Sequence, residues 1–426
     1  MLESGLPMKA ICRDVVVSGL GAVSPFGAGI LALWDNVCRG KSAVDWIDCL
    51  GELDPHLYPV RYAAEVKGFA VADHLKNHCP GRLGKTAKMG LVAAREALQQ
   101  AQLLDENEHV SSSDSRVSVI VGSGHGPCHE TEGGYEAYFL RGPQAIRPTT
   151  LPKCMFNSLS SNVSIHFGLT GSNHVIASAC SSASTAIGLA LMMVRHGYAD
   201  IVLCGGADAP LTTPLFSGWT KLGVLAEHED PTRASRPFDQ QRNGLVLGEG
   251  AAMAVIESRE NAERRGVEPL AVVSGYGTAS DAQHLTTPTV EGQIRAMRAC
   301  LRDAEVESDR IDYLNMHGTA TRANDETEAR AVAEVFGPRG SSMPASSTKS
   351  TLGHPLGASG AMEFAICIQA LRHQFVPPTM NCDDPDPSVG LDYVAHEGRP
   401  HRVRYAMSNS FAFGGNNASL LVSACN

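Results

Sequence analysis

The run Val15-Val16-Val17-Ser18-Gly19-Leu20-Gly21 returns later in the chain as Ala271-Val272-Val273-Ser274-Gly275-Tyr276-Gly277. Each copy is a β-branched stretch stopped by two glycines, the pattern of a buried strand entering a tight turn. A repeat of this kind in 426 residues predicts a duplicated architecture rather than one ordinary core, with halves at 1–260 and 261–426.

Strands of the same character are expected at Val117–Val121, His174–Ala177, Ile201–Cys204, Met253–Ile256 and Ile311–Asn315. Helical patterns lie between several of them. Leu83, Ala87, Leu91, Ala94 and Leu98 share one helix face, as do Ile294, Met297, Leu301 and Ala304. Alternation of strands and helices gives an α/β class with a parallel or mixed sheet. The segment from Ser181 to about His196 leaves almost no polar face, so it is expected to be a central helix buried on all sides.

Several function classes are disfavoured. A formal net charge of −10 argues against a general nucleic-acid or membrane-surface binder, because neutralising phosphates takes an excess of Lys and Arg. Apolar stretches such as Ala186 to Val194 fall short of the ~20 residues of a membrane span. The segment Met1–Asp14 lacks a signal-peptide core, which leads to an expected cytoplasmic location. Twelve scattered cysteines with no CxxC pair read as reduced thiols. His125, Cys128 and His129 are metal-ligating types in one Gly/Pro loop, but no second ligand pair stands nearby to close a zinc shell. No metal is therefore expected.

The chemistry concentrates in four segments. Cys180 ends the strand-like Val175-Ile176-Ala177-Ser178-Ala179 and opens the apolar helix. A thiol there meets the positive end of the helix dipole, which favours thiolate and a lowered pKa, and its small neighbours let a substrate approach. His317 follows a strand within Met316-His317-Gly318-Thr319-Ala320-Thr321, with Asn324, Asp325 and Glu328 on the next helix. Lys349 and His354 stand among small residues in Ser346–Gly360. A buried lysine there needs a carboxylate, and Glu328 or Asp325 is the expected partner. The last segment, Asn409–Ala418, is a Gly-rich turn carrying Phe411 and Phe413 without a P-loop lysine, so it does not cradle phosphate.

Taken in order, these four segments resemble the β-ketoacyl-[acyl-carrier-protein] synthases, specifically the elongating enzymes of fatty-acid and type II polyketide assembly. The resemblance also includes Ser235-Arg236-Pro237-Phe238-Asp239 and Gly244-Leu245-Val246-Leu247-Gly248-Glu249-Gly250, and so runs over nearly the whole chain. It implies a thiolase-like fold, two similar α/β halves in a layered αβαβα arrangement, and a dimer. The N-terminal half would carry the nucleophile and the C-terminal half both histidines.

The resemblance also implies roles. Cys180 would take the acyl chain from carrier-protein phosphopantetheine as a thioester. Neutral His317 and His354 would assist malonyl decarboxylation and stabilise the enolate. Lys349 with Glu328, supported by Asp325, would hold the imidazoles in register. The N–H groups of Cys180 and Phe413 would bind the oxyanion, Phe413 and Gly414 would form the gate, and Thr319 and Thr321 would hold the pantetheine arm. No cofactor beyond the carrier's own arm is implied. The implied partners are acyl-carrier protein and either a second copy or a chain-length-factor-like subunit. Arg82, Lys85, Lys88, Arg141 and Arg147 are candidates for a basic docking patch.

Three rival readings are disfavoured. A thiolase places a second cysteine, and an initiating synthase an asparagine, where His354 stands; a non-catalytic chain-length partner lacks the nucleophile. Two departures point toward a specialised pathway. Ala412 and Asn416 replace a glycine and a threonine of the family's Gly-Phe-Gly-Gly-Thr-Asn turn, so that a Cβ at 412 would stiffen the gate. The segment Trp219–Glu227 also differs from the housekeeping enzymes.

Overall fold

The structure is a computed structural model that describes residues 12–76, 83–110, 116–387 and 390–425. Ten strands carry the fold: β1 Val15–Ser24, β2 Ser118–Gly122, β3 Asn173–Ile176, β4 Ile201–Asp208, β5 Gly250–Ser258, β6 Ala271–Ser280, β7 Tyr313–Asn315, β8 Ala345–Ser346, β9 Tyr405–Ala412 and β10 Asn416–Ser423. They run in the order β8-β7-β9-β10-β6-β1-β5-β4-β2-β3, with the short Gly27–Ala28 strand added beside β1.

The two repeated runs are neighbours at the middle of this sheet. β1 and β6 pair antiparallel through Val16 with Val272 and Val17 with Ala271. From that seam outward each half repeats one order: its first, fifth, fourth, second and third strand. Pairing sense repeats as well, antiparallel at the two joints nearest the seam and parallel at the outer two. The duplication expected from the echo is thus built into the sheet.

Five helices complete the layers: α1 Lys85–Gln100, α2 Ser182–Arg195, α3 Val290–Ala304, α4 Arg322–Phe336 and α5 Ser359–His373. α2 and α5 pack on each other and on strands of both halves. Their apolar residues form one core with strand residues such as Val17, Ile256 and Val422. α1 covers the outer face of the first half through Leu91, Ala94 and Leu98, and α3 that of the second through Met297 and Leu301. The result is the αβαβα order.

One expectation needs correcting. α2 is not covered on every side, because Met192 is 45% exposed and Leu189 and Met193 are half-buried. This flank lies beside β3, and among the described residues no further strand follows β3 to cover it. Among the described residues no helix is long and apolar enough to cross a membrane.

Candidate active site

Cys180 sits in a turn of 3-10 helix, Ala179–Ser181, between β3 and α2. Ala179 adopts φ 50°, a left-handed conformation that costs energy for a residue with a Cβ. Local hydroxyls hold the turn in place: Ser182 Oγ donates to the Ala179 carbonyl at 2.6 Å and accepts from the Ser178 N–H at 2.9 Å. The glycine that ends β2 lets this turn approach, since a Cβ on Gly122 would lie 2.3 Å from the Ala183 nitrogen.

His317 leaves the end of β7, which is where α/β proteins collect functional groups. Glu328, on α4, accepts the N–H groups of His317 and Gly318 at 2.8 Å each. Asp325 accepts those of Thr319 at 3.0 Å and Ala320 at 3.1 Å, and also that of Phe238 at 2.9 Å. These two carboxylates therefore shape the loop carrying His317. Burial pushes them up to about 7 for Glu328 and about 6 for Asp325, against the pull of the amides they accept.

His354 is fixed through its backbone, whose N–H donates to the Val246 carbonyl at 2.7 Å. Its ring Nδ1 lies 2.8 Å from Ser359 Oγ at the start of α5. The His317 and His354 rings meet edge to face, 5.3 Å apart at 81°. One ligand-type atom from each of Cys180, His317 and His354 lies within 4.8 Å of the others, and all three residues are buried. The three residues named as the reacting set are thus brought together from two halves of the chain.

The electrostatics separate sharply by residue. Burial, followed by the positive charge of Lys349, holds both imidazoles well below the ordinary histidine value, with His354 a further cause for His317. Both shifts favour the uncharged ring, the form the sequence reading expects. The cysteine differs from its expectation. Lys349 and the N–H groups of Phe413 and Cys180 itself all favour thiolate, yet burial outweighs them and pushes the thiol up to about 12. A helix start stabilises an anion by a modest amount, whereas removing the sulfur from water costs more.

Lys349 also departs from expectation, since its ammonium pairs with Glu363 on α5, not with Glu328 or Asp325. The reason is spatial: α4 turns both of its carboxylates onto the backbone of residues 317–320, while α5 runs past Lys349. The sequence does carry a signal for Glu363. It is the only ionisable side chain other than Cys367 in α5 before Arg372, and an isolated charge in a buried apolar helix needs a partner. Asp208 was missed too. Fully buried at the end of β4, it accepts from Ser123 Oγ at 2.6 Å, Gly124 N at 2.8 Å and Gly357 N at 2.7 Å, tying two loops beside Cys180.

A cavity of about 210 Å³ opens onto Cys180, His317 and His354. Thr319 and Thr321 line it, their hydroxyls 2.9 Å apart, as do Trp219, Phe413 and the loop His284–Pro288. Phe413 begins the Gly-rich turn, in which Gly414 takes φ 81° and Gly415 φ 69°. Ala412 sits at φ −120°, ψ 156°, ordinary extended backbone. The expected stiffening by its Cβ therefore has no basis here, since positive φ falls on the two glycines alone.

His125, Cys128 and His129 do not gather their ligand-type atoms into one cluster among the described residues. Cys128 donates its thiol to the Ala209 carbonyl at 3.0 Å, and His129 faces Glu249. All eleven cysteines among the described residues are free thiols. Of the five basic candidates, Lys85 is occupied by the buried Glu249 at 2.7 Å, Lys88 is half-buried on α1, and Arg141 and Arg147 are exposed. Arg82 lies outside the described residues.

Comparison with known proteins agrees with this geometry. The chain is 38% identical to the 3-oxoacyl-[acyl-carrier-protein] synthase 2 of Staphylococcus aureus strain COL over 411 residues, 96% of this chain and 98% of that one. The Coxiella burnetii protein of the same name is also 38% identical, over 414 residues, 96% of this chain and 98% of that one. Among solved structures, a chain of the ishigamide ketosynthase/chain length factor superposes with TM-score 0.89 at 33% identity, covering 97% of this chain and 100% of that one. A β-ketoacyl synthase from Burkholderia phymatum STM815 gives 0.88 at 34% identity, with the same coverage of 97% and 100%. The family models for the β-ketoacyl synthase N-terminal domain and C-terminal domain match residues 12–262 and 270–383. With both domains present in one duplicated fold, and with a cysteine and two histidines meeting in its cavity, the chain belongs to the β-ketoacyl synthase family.

Proposed function

We propose that this protein is an elongating β-ketoacyl-[acyl-carrier-protein] synthase, an acyltransferase that condenses an acyl chain with malonyl-carrier protein in fatty-acid or type II polyketide assembly. The observation that carries this reading is the convergence of Cys180, His317 and His354 within 4.8 Å inside one cavity.

Cys180 adds to the acyl thioester of the carrier's phosphopantetheine while its proton passes to a neighbouring imidazole. Transfer of the proton during attack suits a thiol raised to about 12, because no resident thiolate is required. The oxyanion is held by the N–H groups of Cys180 and Phe413, and the pantetheine thiol leaves with the proton. Malonyl-carrier protein then binds with its arm along Thr319 and Thr321. Carbon dioxide departs, and the enolate oxygen takes hydrogen bonds from neutral His317 and His354. The carbanion attacks the Cys180 thioester, the cysteine leaves as thiolate and takes a proton from solvent, and the product is a β-ketoacyl chain two carbons longer. Lys349 and Glu363 position the imidazoles.

The residues named supply this chemistry with the carrier's own phosphopantetheine as the handle. The partners on this reading are acyl-carrier protein and a second subunit. β3 is a sheet edge flanked by the uncovered Met192 and by Tyr198, 80% exposed. An apolar flank beside an open edge suits burial against another copy or a chain-length-factor-like chain. Solved relatives at 28% and 33% identity are named as a ketosynthase with its acyl-carrier protein and as a ketosynthase/chain length factor. A cytoplasmic location goes with such partners.

Intact-mass measurement after mixing with acyl-carrier protein tests the reading. One acyl adduct is expected on the wild type and none on Cys180→Ala; an adduct that survives this substitution overturns the assignment.

A further inference from the structure

Asp208 closes β4 with its side chain fully buried. One carboxylate oxygen, Oδ1, accepts from Ser123 Oγ at 2.6 Å and from the His125 N–H at 3.2 Å. The other, Oδ2, accepts from the N–H groups of Gly124 at 2.8 Å and Gly357 at 2.7 Å. Three of the donors belong to the loop after β2, and the fourth to the turn just after His354. These segments touch each other and the cysteine turn. A Cβ on Gly124 would lie 3.3 Å from the Gly357 nitrogen and 3.5 Å from the carbonyl oxygen of Ala179, the residue before Cys180.

Three of the four donors are backbone amides, which cannot take a proton in return, so the pattern suits a carboxylate and not a carboxylic acid. Burial pushes the group up, and the His125 ring, the Ser123 hydroxyl and the amides of Gly124 and His125 pull it down. At the sulfur this anion stands against Lys349: the ammonium favours thiolate, whereas Asp208 favours the thiol. The ammonium is itself paired with Glu363. The remaining titratable groups at the sulfur, His317 and His354, are held toward their uncharged forms. A resting thiol has a use in acyl transfer. The proton that Cys180 gives up during attack is the one the departing pantetheine thiol takes.

We propose that Asp208 is a positioning residue for acyl transfer: it clamps the 123–125 loop to Gly357 beside the cysteine turn, and its anion keeps the resting Cys180 protonated until a thioester arrives. The proposal rests on the condensing-enzyme reading and names a residue of that same site.

The test follows alkylation of Cys180 by iodoacetamide between about pH 7 and 10, read by mass on the peptide carrying Cys180, for the wild type, Asp208→Asn and Ser123→Ala. The asparagine can keep its carbonyl toward Gly124 and Gly357 while losing the charge; Ser123→Ala loosens the same loop and keeps the charge. Removing an anion lowers the thiol's pKa, so the Asp208→Asn profile should move to lower pH, with alkylation at pH 8 about three- to tenfold faster than wild type. Ser123→Ala should follow the wild-type profile. An unmoved Asp208→Asn profile overturns the proposal, and so does an equal movement in Ser123→Ala, which would trace the effect to loop looseness. A wild-type rate already level from pH 7 to 9, the mark of a resting thiolate, overturns it whether or not the variants fold. Acylation of the wild type by acyl-carrier protein runs in parallel. No acyl adduct there overturns the condensing-enzyme reading and the acyl-transfer role of Asp208 with it, whereas an adduct with an unmoved Asp208→Asn profile overturns this proposal alone.

Discussion

Lys349 and Glu363 form an ion pair whose two side chains are each 3% exposed. Its positive end acts on Cys180, His317 and His354, favouring thiolate at the first and neutral rings at the other two. Breaking a buried pair strands a charge, so Lys349→Met and Glu363→Leu should each cost about 3–5 kcal/mol of stability. The double variant should regain much of that loss, since no charge remains unpaired, but not the decarboxylation rate. Urea unfolding with parallel activity assays measures both. Single variants costing under about 1 kcal/mol would show the pair to be solvated.

Replacing the nucleophile should separate the two half-reactions. Cys180→Gln removes the acyl acceptor but leaves His317, His354 and their supports in place, so condensation should vanish while malonyl-carrier protein is still decarboxylated. Carbon dioxide release and product mass report the two outcomes. Loss of both together would contradict the division of labour between the cysteine and the histidines.

The depressed histidines predict a pH dependence of stability. In the folded chain His317 and His354 resist protonation, whereas in the unfolded chain they take protons near 6.5. Below that value the unfolded state binds more protons, so stability falls as pH drops, by up to about 1.4 kcal/mol per pH unit for each histidine. Glu328 and Glu363, both raised to about 7, have the opposite sign, and their contribution is lost as pH rises from the ordinary carboxylate range through 7. Comparison with His317→Asn/His354→Asn isolates the histidines. The variant should lose less stability than wild type between pH 6.5 and 5, and parallel unfolding curves would sink the idea.

Gly122 tests the placement of the cysteine turn. A Cβ there would lie 2.3 Å from both the Ala183 nitrogen and the Ser182 carbonyl carbon, so Gly122→Ala must push the start of α2 away from β2. Overpacking of this kind costs about 1–3 kcal/mol. Acylation of Cys180 should slow more than decarboxylation does, because the displaced turn carries the nucleophile and not the imidazoles. Equal slowing of both would argue that the turn absorbs the extra carbon elsewhere.

Much of this molecule could be read from local pattern. The repeated runs at Val15 and Ala271 announced two like halves, since a β-branched run ending in glycines has few other uses, and the structure sets them side by side. Cys180 and His317 were legible because each follows a strand and precedes a helix, a position visible without coordinates. Glu363 and Asp208 were hidden for a different reason. Each acts on residues far along the chain, and a linear spacing does not say which of several carboxylates a buried lysine or a backbone N–H will meet.

The chain's own order of residues settled which chemical groups are present, and that strands and helices alternate around a glycine-stopped repeat, because periodicity and side-chain chemistry are local properties. Tertiary packing alone decided that Lys349 meets Glu363, that burial outweighs the helix end at Cys180, and that the Trp219 and Phe413 rings stack 5.9 Å apart. Partner choice, desolvation and ring orientation depend on what the fold brings within a few ångströms, and they are set only when the layers close.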